Sequence, residues 1–253
     1  MDDATAKPPG IFSTTFKLLA FRLSRNEFLQ FDRRLFVFGL VCVWLVGIGR
    51  FWDHPNAKLF QYLGLGSVVY VFALSAFLWL IIKPLKPDNW SFFNLLTFIS
   101  LVSPPALLYA IPVERWFSIE TAARINLWFL VIVAVWRVAL LWFYLIRYGG
   151  LGAEIFTATL LPLSLIVSVL TIMRLDAKVL QLMAGLDRET YAPSAEDEVN
   201  TLLRILTGMS QCLLIPLLLL YVWAISARTS RLKAAERAKK LSSEDSGADQ
   251  FNP

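Results

Sequence analysis

Arg137 is the residue of this chain best placed to do unusual chemistry. It stands in the run Val133-Ala134-Val135-Trp136-Arg137-Val138-Ala139-Leu140-Leu141, with no Asp or Glu in the surrounding apolar stretch. A guanidinium stays charged at physiological pH and offers its N–H donors as a planar fork that matches a carboxylate or a phosphate. In the middle of a membrane helix it costs about 2.5–3.5 kcal/mol on insertion scales, so some acceptor must compensate it. Gln211 is one candidate. The hydroxyls of Ser103, Thr159 and Ser164 are others, and Glu154, at the start of the next apolar stretch, is the acid to consider. A lipid phosphate or an anionic solute would serve equally. Two readings follow, a site for an anion or lipid headgroup and a polar lock between helices, and the residues alone leave both open.

Other patterns carry weaker signals. Pro104-Pro105, Pro162 and Pro216 interrupt apolar stretches. Each lacks a backbone donor and frees a carbonyl one turn upstream, which can coordinate an ion or form a hinge. The plainer alternative is that Pro is tolerated in membrane helices. Arg50, Asp53, His54, Glu114, Arg115, Glu120 and Arg124 would gather on one membrane face, with Glu120 and Arg124 spaced to pair on a helix. His54 or Glu114 could act there as a general base, against the plainer reading that exposed charges solvate a surface. His54 is the only histidine, which excludes His-rich metal chemistry, and no nucleophile-elbow, zincin or Walker motif occurs. Cys42 and Cys212 lie inside apolar stretches, without the spacing of a disulfide framework or a zinc site. Neither a metal nor a cofactor is expected.

These residues must be positioned by helices, because apolar runs as long as a bilayer is thick fill most of the chain. A spanning helix needs about 20 apolar residues. Six stretches qualify: Leu35 to about Trp52, Leu59 to Ile82, Phe92 to Ile111, about Ile125 to Ile146, Ile155 to Met173, and about Ile205 to Ser226. Residues 1–34 form a basic segment in which Phe12, Phe16, Leu19 and Leu23 share a stripe, predicting a helix lying at the membrane interface. Leu175, Val179, Leu182, Met183 and Leu186 recur with helical spacing and predict a second amphipathic helix. Gly64, Gly66, Ala106 and Ala110 would let helices approach closely. The expected architecture is an all-α, polytopic bundle of six membrane helices over residues 35–226, followed by a tail over 227–253 that turns from basic to acidic.

Hydrophobic residues make up 57% of the chain and charged ones 17%, against about 45–50% and 25% in soluble domains. The excess of five positive charges over negative ones flanks the apolar stretches, which points to a membrane surface rather than to nucleic acid. Six spans put both termini on one side. That side carries fifteen Lys and Arg against eight on the other, so the positive-inside bias places both termini in the cytoplasm. Trp52, Trp116 and Trp128 then mark the outer interface and Trp79, Trp90, Trp142 and Trp223 the inner one. A bacterial cytoplasmic membrane is the expected setting. With no catalytic constellation, a non-enzymatic component that organises or assembles other membrane proteins, or associates with itself, is the first expectation. The second is a small transporter or lipid-handling protein built on Arg137 and the broken helices. The third is an enzyme at the outer face.

Overall fold

The computed structural model describes residues 10–49, 59–173 and 193–248. Among them there are helices and no strands. In chain order these are α1 (Ile11–Leu19), α2 (Arg25–Leu29), α3 (Arg33–Gly49), α4 (Leu59–Tyr62), α5 (Leu65–Ile82), α6 (Phe92–Leu101), α7 (Ile119–Arg147), α8 (Ile155–Ile172) and α9 (Pro193–Ala248). Short 3-10 segments follow α5 at Lys83–Leu85 and α6 at Pro104–Ala110, and another precedes α7 at Val113–Arg115. Five stretches are long and apolar enough to cross a membrane: Leu65–Leu85, Phe92–Ala110, Glu120–Arg147, Ile155–Ile172 and Arg204–Ala238. The first of the six expected stretches forms α3, which is described over 17 residues. At 1.5 Å per residue that is roughly 25 Å, short of a hydrocarbon layer of about 30 Å. The predicted amphipathic helix around Leu175–Leu186 lies outside the described residues.

α6 is the centre of the bundle, with every side chain from Asn94 to Leu101 buried. α3 and α5 pack against it and against each other, and glycines set how closely. A Cβ on Gly39 would lie 2.8 Å from that of Ser100, and one on Gly47 would lie 2.7 Å from the carbonyl oxygen of Gly64. Gly64 itself holds a left-handed backbone at φ +65° just before α5, a conformation that only glycine adopts without strain. Gly66, by contrast, faces only the Phe60 ring at 3.4 Å. α3 therefore runs antiparallel to α5 along the bundle, its far end against the start of α5.

The N-terminal segment forms two short helices rather than one. A capping box at Ser24 and Glu27 starts α2, and the Lys17 ammonium pairs with the Glu27 carboxylate at 2.7 Å. That contact, together with the Ser24 backbone N–H, holds Glu27 below the usual carboxylate range. Of the predicted stripe, Phe12 and Phe16 are exposed, although Phe12 meets the Phe38 ring edge-on at 5.2 Å, while Leu23 is buried, as is Leu18, which lies off the stripe. α1 is apolar on two sides because it has two neighbours. Leu18, Thr14 and Thr15 face the bundle, and the Trp136 indole of α7 donates to the Leu19 carbonyl at 3.1 Å.

Candidate functional site

Arg137 lies ten residues before the end of α7, roughly 15 Å along the axis. Val133, Leu140, Leu141 and Tyr144 recur with it at helical spacing and are all buried, so Arg137 belongs to the inward face. Tyr144 stacks on Phe98 of α6, with ring centroids 4.2 Å apart. Val133 packs in a small cluster with Ala106 and Val46. Arg137, between those two anchors, is level with the stretch from Val102 to Pro105, where α6 ends.

The break has a specific cause. Pro104 and Pro105 are consecutive, so the carbonyls of Ser100 and Leu101 lose their helical donors. Ser103 repairs the first, since its backbone N–H and its hydroxyl both donate to the Ser100 carbonyl, at 3.3 and 2.7 Å. The Leu101 carbonyl loses its donor to Pro105. The chain then winds on as the 3-10 segment. A helix C-terminus, which carries partial negative charge, is thus buried within the bundle at the level of Arg137. Pro162 and Pro216 sit inside continuous helices, α8 and α9. One missing donor is absorbed there, whereas two in succession end α6.

Arg137 forms no hydrogen bond or ion pair among the described residues. Its Nε is buried without a partner, while the residue as a whole is half-buried, so the terminal nitrogens are open. None of the acceptors that the sequence offered bonds to it. Gln211 is exposed on α9. Ser103 is occupied at the α6 break. Thr159 and Ser164 are buried in α8, the Thr159 hydroxyl without a partner. Glu154 is engaged at the end of the bundle.

That engagement is an ion-pair cluster that sequence spacing did not predict. Glu154, only 5% exposed, lies 3.8 Å from Arg228 and 3.3 Å from Arg231 of α9. Arg228 also approaches Asp88 at 3.7 Å and donates to the carbonyls of Lys86 and Gly150, each at 3.2 Å. Asp88 pairs in turn with Arg25 of α2 at 2.9 Å, and its backbone N–H donates to the Gly149 carbonyl. Gly150 has φ +58°, and a Cβ there would meet the Asp88 carboxylate at 2.5 Å. Four segments distant in sequence are tied at one end of the bundle, the end where α2 and the basic part of α9 both lie. The glycine turn was the visible signal; the partners across it were not.

At the opposite end, Arg50, Asp53 and His54 lie outside the described residues. Glu114 falls in the 3-10 segment Val113–Arg115. Glu120 and Arg124 pair at 3.4 Å, both well exposed, as their spacing suggested. Among the described residues no group of three or more His, Cys, Asp or Glu could hold a metal ion.

The open arginine, level with the end of α6, is the arrangement with chemical capacity. A guanidinium in a low-dielectric setting binds an anion far more strongly than it would in water, and its fork suits a carboxylate or phosphate. Comparison with known proteins finds no matching family model, no similar curated protein and no similar solved structure.

Proposed function

We propose that the protein is a six-span membrane protein that holds an anionic group, from a lipid headgroup or a small solute, at Arg137. The single observation that carries this reading is the unpartnered Arg137 on the inward face of α7, level with the end of α6. A lock between helices needs a partner, and neither Gln211 nor Glu154 supplies one. The broken helix also leaves the Leu101 carbonyl without its helical donor, an acceptor at about the same level for a ligand that carries a donor beside its anionic oxygen.

The six-span reading is supported by the ion-paired end. Arg25 precedes α3 and Arg228 follows the apolar part of α9, yet both reach Asp88. An even number of crossings brings those residues together, and α3 beside the five longer stretches makes six. The Lys and Arg bias then puts this end in the cytoplasm, with a bacterial cytoplasmic membrane as the proposed setting. α2 lies at that end, through Arg25, while α1 lies further along α7, its Leu19 carbonyl bonded to the Trp136 indole. The assembly reading keeps one supporting observation, the exposed Gln211 on α9. The ion-pair latch, by contrast, is structural.

The test uses the full chain purified into phosphatidylcholine nanodiscs, with phosphatidylglycerol or inorganic phosphate added separately and bound molecules measured by native mass spectrometry. Retention of one of them is expected, with at least a tenfold loss in Arg137→Met and partial recovery in Arg137→Lys. Binding of phosphatidylglycerol alone identifies a headgroup, and binding of phosphate alone a solute. Equal retention in the wild type and Arg137→Met overturns the proposal.

A further inference from the structure

Of the heptad-spaced stripes of α9, one is turned to the bundle, and a second, among those left exposed, carries a glutamine and a glycine. Thr207, Ser210, Leu214, Leu217, Tyr221, Ala224 and Arg228 make the side turned to the bundle. The Thr207 hydroxyl meets that of Thr171 at 3.2 Å, and the Tyr221 hydroxyl donates to the Ile81 carbonyl. Leu217 and Ala224 are buried, and Arg228 joins the ion-pair cluster. The second stripe is Arg204, Gly208, Gln211, Ile215, Leu218 and Val222, spaced alternately by four and three, and it is exposed at every position.

Two of its residues are out of place on a face meant for lipid tails. Between residues 205 and 225, the side chains with nitrogen or oxygen hydrogen-bonding groups are Thr207, Ser210, Gln211, Tyr221 and Trp223. Thr207, Ser210 and Tyr221 lie on the stripe that faces the bundle, and Trp223, exposed, is near the end of the apolar stretch, which leaves Gln211. Gln211 is roughly 10 Å along the axis from Arg204, inside the apolar stretch that begins at Ile205. Gly208 is equally unexplained within the chain. A Cβ there would meet nothing within 4 Å, although glycine in a helix is about 1 kcal/mol worse than alanine. A small residue beside a polar one is the pattern that lets membrane helices approach closely and hydrogen-bond.

We infer that this stripe packs against the same stripe of a second copy of the chain. Two copies inserted in the same orientation place Gln211 opposite Gln211 at one depth, with no adjustment of register. A primary amide carries both donors and acceptor lone pairs, so it satisfies itself across a two-fold axis in a way that a lone charge cannot. Spacing of four and three is that of left-handed helix pairing, in which one polar core position fixes register and copy number. Gly208 brings the backbones together one turn away. The interface lies apart from Arg137, so it goes beyond the anion-binding reading and does not depend on it.

The test is made on the full chain in native membranes, with Cys42→Ser and Cys212→Ser as background. Gly208→Cys and Ile215→Cys are expected to form an oxidised dimer. Leu214→Cys, on the stripe turned to the bundle, and Leu213→Cys, exposed on another face, are not. In nanodiscs, Gln211→Leu lowers the dimer fraction about fivefold or more, Gln211→Asn keeps it, and helical content stays constant in both. A monomer at every lipid ratio overturns the inference. So does cross-linking as strong at Leu213 as at Ile215, capture of a different polypeptide in place of a second copy, or a Gln211→Leu dimer as populated as the wild type. Lipid retention at Arg137 is measured in the same samples, so failure of one proposal is read separately from failure of the other.

Discussion

Glu154 and Arg228 lie 3.8 Å apart with their side chains only 5% and 12% exposed, one at the start of α8 and the other in α9. Arg228 is the hub, since its guanidinium also binds the loop carbonyls of Lys86 and Gly150 and approaches Asp88. Removing one member of a buried pair costs about 3–5 kcal/mol, because the other is left charged and desolvated. Arg231 still reaches Glu154, so Arg228→Met should lose about 3 kcal/mol, at the low end of that range. Arg231 is itself 64% exposed, and Arg231→Met should cost less than about 1 kcal/mol. Thermal unfolding in detergent checks the order, and equal losses from the two substitutions would show that Arg228 is not the hub.

Glycine substitutions should separate close approach from mere helix composition. Gly39→Ala drives a Cβ to 2.8 Å from that of Ser100 on the central helix, where neither backbone is free to move. Overpacking of this kind costs about 1–3 kcal/mol. Gly66→Ala meets only the edge of the Phe60 ring and gains helix propensity of up to about 1 kcal/mol. A lowered midpoint for the first and an unchanged or raised one for the second are expected in the same unfolding assay.

Acid should loosen the N-terminal segment. The Glu27 carboxyl is held below its ordinary value, first by the hydrogen bond from Lys17 and then by the Ser24 backbone. A group depressed in the folded state adds stability above its unfolded value, and that stability is lost as pH falls through the folded value. Protection factors for hydrogen exchange over residues 11–29, each taken against the intrinsic rate at the same pH, should therefore be high at neutral pH and fall below the ordinary glutamate range. In Glu27→Gln the protection should be lower at neutral pH and flat with acid; an unchanged acid response in that variant would place the titrating group elsewhere.

What the sequence disclosed was one-dimensional. A continuous apolar run signals a membrane helix whatever its neighbours, so five of the stretches could be located from hydropathy alone. The Pro104-Pro105 break was visible too, because lack of a donor is a property of proline itself. Partners across the bundle were not visible. By sequence Glu154 is a candidate only for Arg137, and no spacing rule links it to Arg228 or links Asp88 to Arg25. Leu18 lies off the predicted stripe yet is fully buried, because the bundle covers that side of α1. Gly39 drew no notice, since nothing local distinguishes a contact glycine from a tolerated one.

Membrane topology offers the last test, and it turns on α3. Its 17 described residues reach roughly 25 Å, so it crosses only where the bilayer thins or its flanks reach the interface. Arg33 and Arg34 begin the helix, and long basic side chains extend to the headgroups from such positions. In a background without Cys42 and Cys212, single cysteines at the exposed positions Gln30, Lys86, Phe117 and Ser230 report the side of each. A maleimide that cannot cross membranes should label Phe117→Cys in intact cells, and the other three only after permeabilisation. Labelling of Gln30→Cys together with Phe117→Cys would mean that α3 does not cross. It would also separate Arg25 from Asp88 by the whole bilayer, which their 2.9 Å ion pair forbids.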